Sequence, residues 1–452
     1  MSRKAFAVLF LGTLALSLIL RVPRLDLRPM HHDEANQAVK FGRLLEEGEY
    51  RYDPEDHHGP SLYYLTLPSA WLRGEASLAE LRESTLRAVP VAFAAALLLL
   101  LLPLAGEIGR TGVLLTALVA AVSPALVYFS RFFIQETLLV FFILGCMVFG
   151  WRFLHRPVPA RAVLFGLSAG MAYATKETCL IAFGALLGAW LMERMLFCKA
   201  DGRSGTLPFP PLSQLALAAA TATAVVVALY SSFFRHARGP LDSILSFSTY
   251  LTRAGDPGWH AHPWYYYLKM LAFSRYGNGP VWTEGAVLML ALVGTAAAFG
   301  IAGFRSRGGG PRAFLRFAAA YTLLSALAYS LIPYKTPWNL LPFYLGMVIL
   351  AGGGAASLIG AVRKGWPGWV VVCLLLVSFG HLGFQSWRAN FRFPADPRNP
   401  YVYAHTSTDL LRMVRRVQDL TPLHADGRSL LVKVVADPYA TWPLPWYFRD
   451  LT

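Results

Sequence analysis

The chain is poor in charge and in cysteine. Asp, Glu, Lys and Arg make up only 15% of its 452 residues, against 55% apolar ones, and the mean hydropathy is +0.44. That is too little polar surface to cover a water-soluble domain of this size, so a soluble fold is excluded. The four cysteines, Cys146, Cys179, Cys198 and Cys373, sit in or beside apolar blocks at no ligand-like spacing. They read as small core residues, which indicates neither a disulfide framework nor a thiolate metal site. Acid is scarce too: 26 Asp and Glu face 41 Lys and Arg, a formal charge of +15. The basic excess is scattered between apolar blocks and forms no stripe, so no nucleic-acid partner is expected. No internal repeat is visible, and Gly308 to Gly310, the one low-complexity tract, reads as a loose cytoplasmic turn.

What the chain does have is a series of long apolar blocks. A crossing needs ~20 apolar residues, and spans are expected near 5–22, 86–105, 111–129, 136–153, 161–174, 178–197, 213–234, 281–303, 315–332, 338–361 and 367–386, about eleven in all. The first has the length of a signal peptide, but Arg21, Pro23 and Arg24 follow it instead of a small-residue cleavage site, so an uncleaved helix is expected. Lys and Arg are retained on the cytoplasmic side. One set of loops carries Arg3 and Lys4; Arg110; Arg152, Arg156 and Arg161; Arg194, Lys199 and Arg203; Arg305, Arg307, Arg312 and Arg316; Arg363 and Lys364. The alternate short loops hold one cation each, Arg131, Lys176 and Lys335. The amino terminus is therefore expected inside and the carboxyl terminus outside, with the plasma (inner) membrane as the expected location.

The expected fold class is an all-α polytopic membrane protein. A transmembrane module covers 1–386, with outer loops at 23–85 and 235–280, and a short outer segment covers 387–452. Amphipathic helices near 33–47 and 60–73 are expected to lie along the interface. In the tail, a helix near 407–420, a strand over Leu430 to Val435 and the aromatic run Trp442, Trp446, Tyr447 and Phe448 predict an α/β-like piece.

The outer loops hold the chemistry-bearing residues. His31, His32, Asp33 and Glu34 follow the first span where the chain re-enters a helix, whose free amides favour negative charge. A carboxylate there can serve as general base toward an acceptor hydroxyl; an acidic helix cap is the structural alternative. His57 to Tyr64, with Tyr63 paired to Tyr64, is ordinary interface chemistry taken alone. Arg131 and Glu136 sit at an apolar boundary, where an unpaired charge is expensive. Lys176 with Glu177, and Lys335 with Trp338 and Asn339, occupy two further tight outer turns. The second outer loop adds Arg253, Trp259, His260, His262, Trp264 and Lys269. Aromatic faces suit sugar rings and cations suit phosphates, although an interfacial aromatic belt explains many of the same residues.

These types fit one reaction. A sugar leaving a lipid phosphate departs as an anion, which needs positive charge and hydrogen-bond donors but no general acid. One carboxylate then suffices for an inverting displacement, whereas glycosidases use two. No cofactor is required. His31, His32, His57, His58, His260 and His262 leave a divalent-ion site open, though nothing in their spacing demands one.

The Asp33-Glu34 pair, the Pro60-Ser61-Leu62-Tyr63-Tyr64 segment, the Ser130-Arg131 to Glu136 turn and the Ala174-Thr175-Lys176-Glu177 end together resemble protein-mannosyltransferase-like GT-C glycosyltransferases. Tyr334 to Asn339 and His262 to Tyr266 resemble the archaeal and bacterial subgroup of flippase-activity-associated glycosylation proteins. The resemblance implies the GT-C fold with two interface helices in the first outer loop. It also implies transfer of a hexose such as mannose from a polyprenyl-phosphate donor to a protein, lipid or glycan hydroxyl. It assigns Asp33 to catalysis, beside which the residue reading keeps Glu34 as a second catalytic candidate, and Arg131, Lys176 and Lys335 to the donor phosphate. His32, His58, Tyr63, Glu136, Glu177, His262, Trp264, Trp338 and Asn339 take supporting or acceptor-binding places. The tail is shorter than the outer domain of many relatives. A transporter or accessory protein for flipping lipid-linked sugars is the alternative, against which stand spans nearly free of charge at their centres.

Overall fold

A computed structural model describes residues 1–55, 58–197, 209–255, 258–301, 312–362, 366–436 and 441–451. His57, Cys198, Lys199, Arg203, Arg305, Arg307, Gly308 to Gly310, Arg363 and Lys364 lie outside the described residues, as does the side chain of Arg253.

Helices stand on all the apolar blocks. In chain order they are α1 (Arg3–Arg21), then α2 (His32–Glu47) and α3 (Ser61–Arg73) in the first loop, then α4 (Glu83–Leu100), α5 (Ala105–Val122), α6 (Pro124–Phe129), α7 (Glu136–His155), α8 (Pro159–Tyr173) and α9 (Cys179–Met192). The second half has α10 (Leu212–Tyr230), α11 (Gly239–Gly255), α12 (Tyr266–Ala272), α13 (Gly285–Phe299), α14 (Arg312–Leu331), α15 (Leu341–Ala361), α16 (Trp366–Trp387), α17 (Asp409–Leu420) and α18 (Leu444–Tyr447). Among the described residues, eight stretches are long and apolar enough to cross a membrane, and one of them, Glu83–Val122, contains both α4 and α5. The chain is an integral membrane protein.

With lipid as solvent, helices associate through close packing more than through apolar burial. Glycine makes that possible between α13 and α15, where a Cβ at Gly294 would lie 2.0 Å from the Leu350 carbonyl oxygen. α7 and α15 run through the centre, buried along most of their length, while α1, α10 and α16 show apolar side chains outward.

At one end of the bundle α2, α3, α11, α12 and the tail form a loop-rich face. The predicted helices near 33–47 and 60–73 are α2 and α3, and the one near 407–420 is α17. The predicted strand over Leu430 to Val435 is corrected: that stretch has no regular structure, and among the described residues it has no neighbouring strand to pair with. The aromatic end of the tail instead folds back as an anchor. Trp446, fully buried, donates its indole N–H to Glu83 (2.9 Å), and the Tyr447 hydroxyl accepts from the Met30 amide (2.8 Å).

Candidate active site

α2 starts where it does because His31 caps it. Its Nδ1 accepts from the Asp33 amide (3.0 Å) while Glu34 accepts from the His31 amide (3.1 Å), a reciprocal cap. His31 Nε2 is left to donate to the Tyr403 carbonyl in the tail (3.1 Å). Successive helical residues diverge by about 100°, so Asp33 and Glu34 enter different surroundings.

Glu34 is fully buried. Arg87 Nε and Nη2 grip its two oxygens at 2.8 and 2.7 Å, the Phe133 amide donates at 2.8 Å, and Arg28 lies 3.9 Å away. Burial alone would raise its pKa, but Arg87 and Arg28 hold the carboxyl down at about 2. Its lone pairs are taken by Arg87 and by the amides of His31 and Phe133, so Glu34 braces the start of α2. Asp33 keeps a side chain 44% exposed, with Oδ2 3.7 Å from His31 Nδ1.

A short antiparallel bridge brings the second loop to the Lys335 turn. The His262 amide donates to Pro333 O (3.2 Å) and the Lys335 amide to His260 O (3.0 Å). This places both histidines beside Lys335, whose ammonium donates to the carbonyls of His262 (3.1 Å) and Ile332. Burial lowers the Lys335 pKa. The Tyr403 hydroxyl joins His260 Nδ1 (2.9 Å) to His262 Nε2 (3.4 Å), and its ring stacks on Trp259. Burial lowers the pKa of both rings; the Asp33 charge works against this at His260, and Lys335 reinforces it at His262. His260 and His262 thus meet at a tail tyrosine, with Lys335 bonded to the His262 carbonyl and the Asp33 charge felt at His260.

Solved structures that share this arrangement of helices include glycosyltransferases. ArnT from Cupriavidus metallidurans bound to undecaprenyl phosphate matches with a TM-score of 0.64 at 15% identity, over 100% of this chain and 86% of that one. The oligosaccharyltransferase of Archaeoglobus fulgidus, tethered with an acceptor peptide containing the NVT sequon, matches with 0.58 at 14% identity. That match covers 100% of this chain but 63% of the oligosaccharyltransferase, less than two thirds of its length. This chain has the GT-C fold. No family model and no curated protein matches it.

Within the GT-C fold the other expected residues are divided among separate contacts. Lys176 forms a buried ion pair with Glu136. Glu177 is also buried and bonds His58 Nδ1 (2.8 Å) and the Tyr52 hydroxyl (3.3 Å). Tyr63 is buried and donates to Gln37. Arg131 lies on the α1 side, where its guanidinium donates to the carbonyls of Arg21, Pro23 and Arg24 at 2.6 to 2.9 Å. Those bonds tie it to main chain, so it closes the end of α1 instead of standing beside Lys335. Trp338 packs edge-on to His31 and Tyr403, the His32 ring lies 5.8 Å from Trp442, Asn339 is half-buried, and Trp264 is 64% exposed. Among the described residues no three His, Cys, Asp or Glu side chains group as a metal site.

Sequence reasoning passed over Arg87, Tyr403 and Glu284. Glu284, fully buried, receives the hydroxyls of Ser123 (2.7 Å), Tyr401 (2.7 Å) and Tyr344 and the Ala125 amide (2.8 Å). A charge at the start of an apolar block was the available signal for Arg87 and Glu284. For Tyr403 the signal was weaker: an aromatic and histidine cluster from Tyr401 to His405 in a polar tail.

Proposed function

We propose that the protein is an inverting glycosyltransferase that moves a hexose, such as mannose, from a polyprenyl phosphate to a hydroxyl acceptor. The loop-rich face is read as the outer face of a plasma membrane. The observation that carries the reading is the split between two neighbouring carboxylates: Glu34 is saturated by arginine, while Asp33 stays partly exposed and its charge reaches His260. The undecaprenyl phosphate bound to the ArnT neighbour supports the donor class.

In the proposed step Asp33 takes the proton of the acceptor hydroxyl. The oxygen attacks the anomeric carbon from the face opposite the phosphate, the carbon–oxygen bond to the phosphate breaks, and the lipid phosphate leaves with the electron pair. An ammonium has three N–H groups, and two of those on Lys335 are engaged by carbonyls. We assign the third to the developing phosphate charge and propose a step without a divalent ion. Lys176 and Arg131 act one layer back, through Glu136 and the end of α1. Trp259, Trp338 and Tyr403 offer faces to a sugar ring.

Reconstituted vesicles supplied with a polyprenyl-phosphate sugar test this reading. Asp33→Asn is expected to lower transfer by roughly 10²- to 10⁴-fold, the usual contribution of a general base, and wild-type transfer is expected to persist with a chelator. Full transfer by the variant would reject Asp33 as the base. Lipid translocation without transfer would move the protein to the transport class.

A further inference from the structure

α11 is amphipathic in the reverse of the usual sense. A helix bathed by water on one side turns its apolar stripe inward. In α11 it is Ser243 and Ser246 that are buried, with the Ser243 hydroxyl 3.4 Å from that of Tyr173. Leu241, Ile244 and Leu245 face outward, Ile244 with 61% of its surface exposed. Such a helix is stable where the outer medium is apolar. We infer that α11 and the turn before it form an anchor sunk among the acyl chains of the leaflet on the loop-rich side. The backbone of the turn gives an independent argument. Ser232, Phe233 and Phe234 have φ of +50°, +54° and +72°, three consecutive non-glycine residues in the left-handed region. A run of this kind persists only where its surroundings over-determine it. Here the Ser232 hydroxyl accepts from the Tyr50 amide (3.0 Å) and the Tyr64 hydroxyl (2.8 Å), and Ser231 accepts from the Phe234 amide (2.8 Å). The result is that two phenylalanines are displayed outward, Phe234 with 76% of its surface exposed.

Continuity with α10 makes lipid the occupant. Of the 19 residues of α10 only Ala218 and Tyr230 are buried, so the helix borders lipid along its length. At 1.5 Å per residue it is about 28 Å long, close to the ~30 Å of the hydrocarbon layer, which puts Tyr230 at the edge of that layer. Phe233 and Phe234 follow at once, and Gly239 lets α11 start hard against the end of α10, where a Cβ would collide with the Tyr230 carbonyl. The outward apolar side chains of the turn and of α11 thus begin where the lipid-facing surface of α10 ends. The charges beside them are already engaged: Arg238 with Asp242 (3.1 Å), His236 with Glu49 (3.6 Å) and Arg235 with the Gly48 carbonyl (3.1 Å). The anchor therefore takes acyl chains and selects no headgroup. It uses neither Asp33 nor Lys335 and does not depend on the transfer reading.

Nitroxide labels in lipid nanodiscs test it, on the full chain with its four cysteines replaced. Labels at Phe234→Cys, Leu241→Cys, Ile244→Cys and Leu245→Cys, all exposed positions, are expected to collide more often with dissolved oxygen, which concentrates in lipid, than with a water-soluble nickel chelate. The order should reverse at Ser407→Cys, on the exposed approach to α17. Ile244→Asp with Leu245→Asp disturbs no buried contact and should lift the anchor, so that a label at Phe234→Cys moves toward the nickel. Nickel collisions at Phe234→Cys and Ile244→Cys as frequent as at Ser407→Cys would overturn the proposal. So would labels there that are shielded from both reagents, which would make the patch a contact with a second copy or another protein. A Phe234→Cys label that keeps its depth in the double aspartate variant would separate the turn from α11 and refute the joint anchor.

Discussion

Asp33 and Glu34 differ by one methylene and one position, yet their surroundings assign them opposite work. The Glu34 carboxylate lies between Arg87 and Arg28 with no exposure, and replacing it by glutamine would leave two buried guanidiniums short of an anion. Removing one partner of such a pair costs about 3–5 kcal/mol. Glu34→Gln is therefore expected to lower the unfolding temperature sharply in detergent, whereas Asp33→Asn should change it little; equal effects would contradict this division. Glu34 also sets a pH signature. Its folded pKa of about 2 lies below the ordinary 4.5, so the ionised form favours the native state. The contribution is whole above about pH 4.5 and is lost as pH falls toward 2, a decline that Glu34→Gln should flatten. The bracing role of Glu34 was not legible in the sequence, because its partners stand 53 and 99 positions away at Arg87 and Phe133.

At the scale of elements, the helices were legible and their docking was not. α2 and α3 carry their own signals: an acidic cap and a left-handed glycine, Gly48, after α2, and proline before α3. Gly59 gives α3 its seat, for a Cβ there would meet the Ala174 carbonyl oxygen at 2.2 Å. α11 was missed although Leu241, Ile244 and Leu245 recur at helical spacing and lie exposed, as on an interfacial helix. The tail was misjudged in kind. Its β-rich residues found no partner strand, while Tyr403 and Trp446 found sites on the first loop and on the second. Tyr403 bridges His31, His260 and His262, so Tyr403→Phe, which keeps the ring and removes the hydroxyl, is expected to lower turnover about tenfold, the worth of a hydrogen bond or two. Its unfolding temperature should stay near that of the wild type. Unchanged turnover would leave the tyrosine a packing role alone.

At the scale of the whole molecule, the distribution of charge among the loops makes one further prediction. If Lys and Arg retention orients the chain, α17 and its approach lie outside the cell. A cysteine placed at exposed Ser407 should then react with a membrane-impermeant maleimide in intact cells, while Cys146 and Cys179, both buried, stay silent. Labelling at Ser407→Cys only after permeabilisation would invert the topology. The apolar blocks, the two helices of the first loop and the identity of the acidic candidate were determined by sequence, because each depends on residues within a few turns of one another. The separation of Asp33 from Glu34, the commitment of Arg131 to the end of α1, the pairing of Lys176 with Glu136 and the arrival of Tyr403 were decided only by tertiary structure. Buried charge is stable only where another part of the chain supplies its counterpart, and no local pattern records which part that will be.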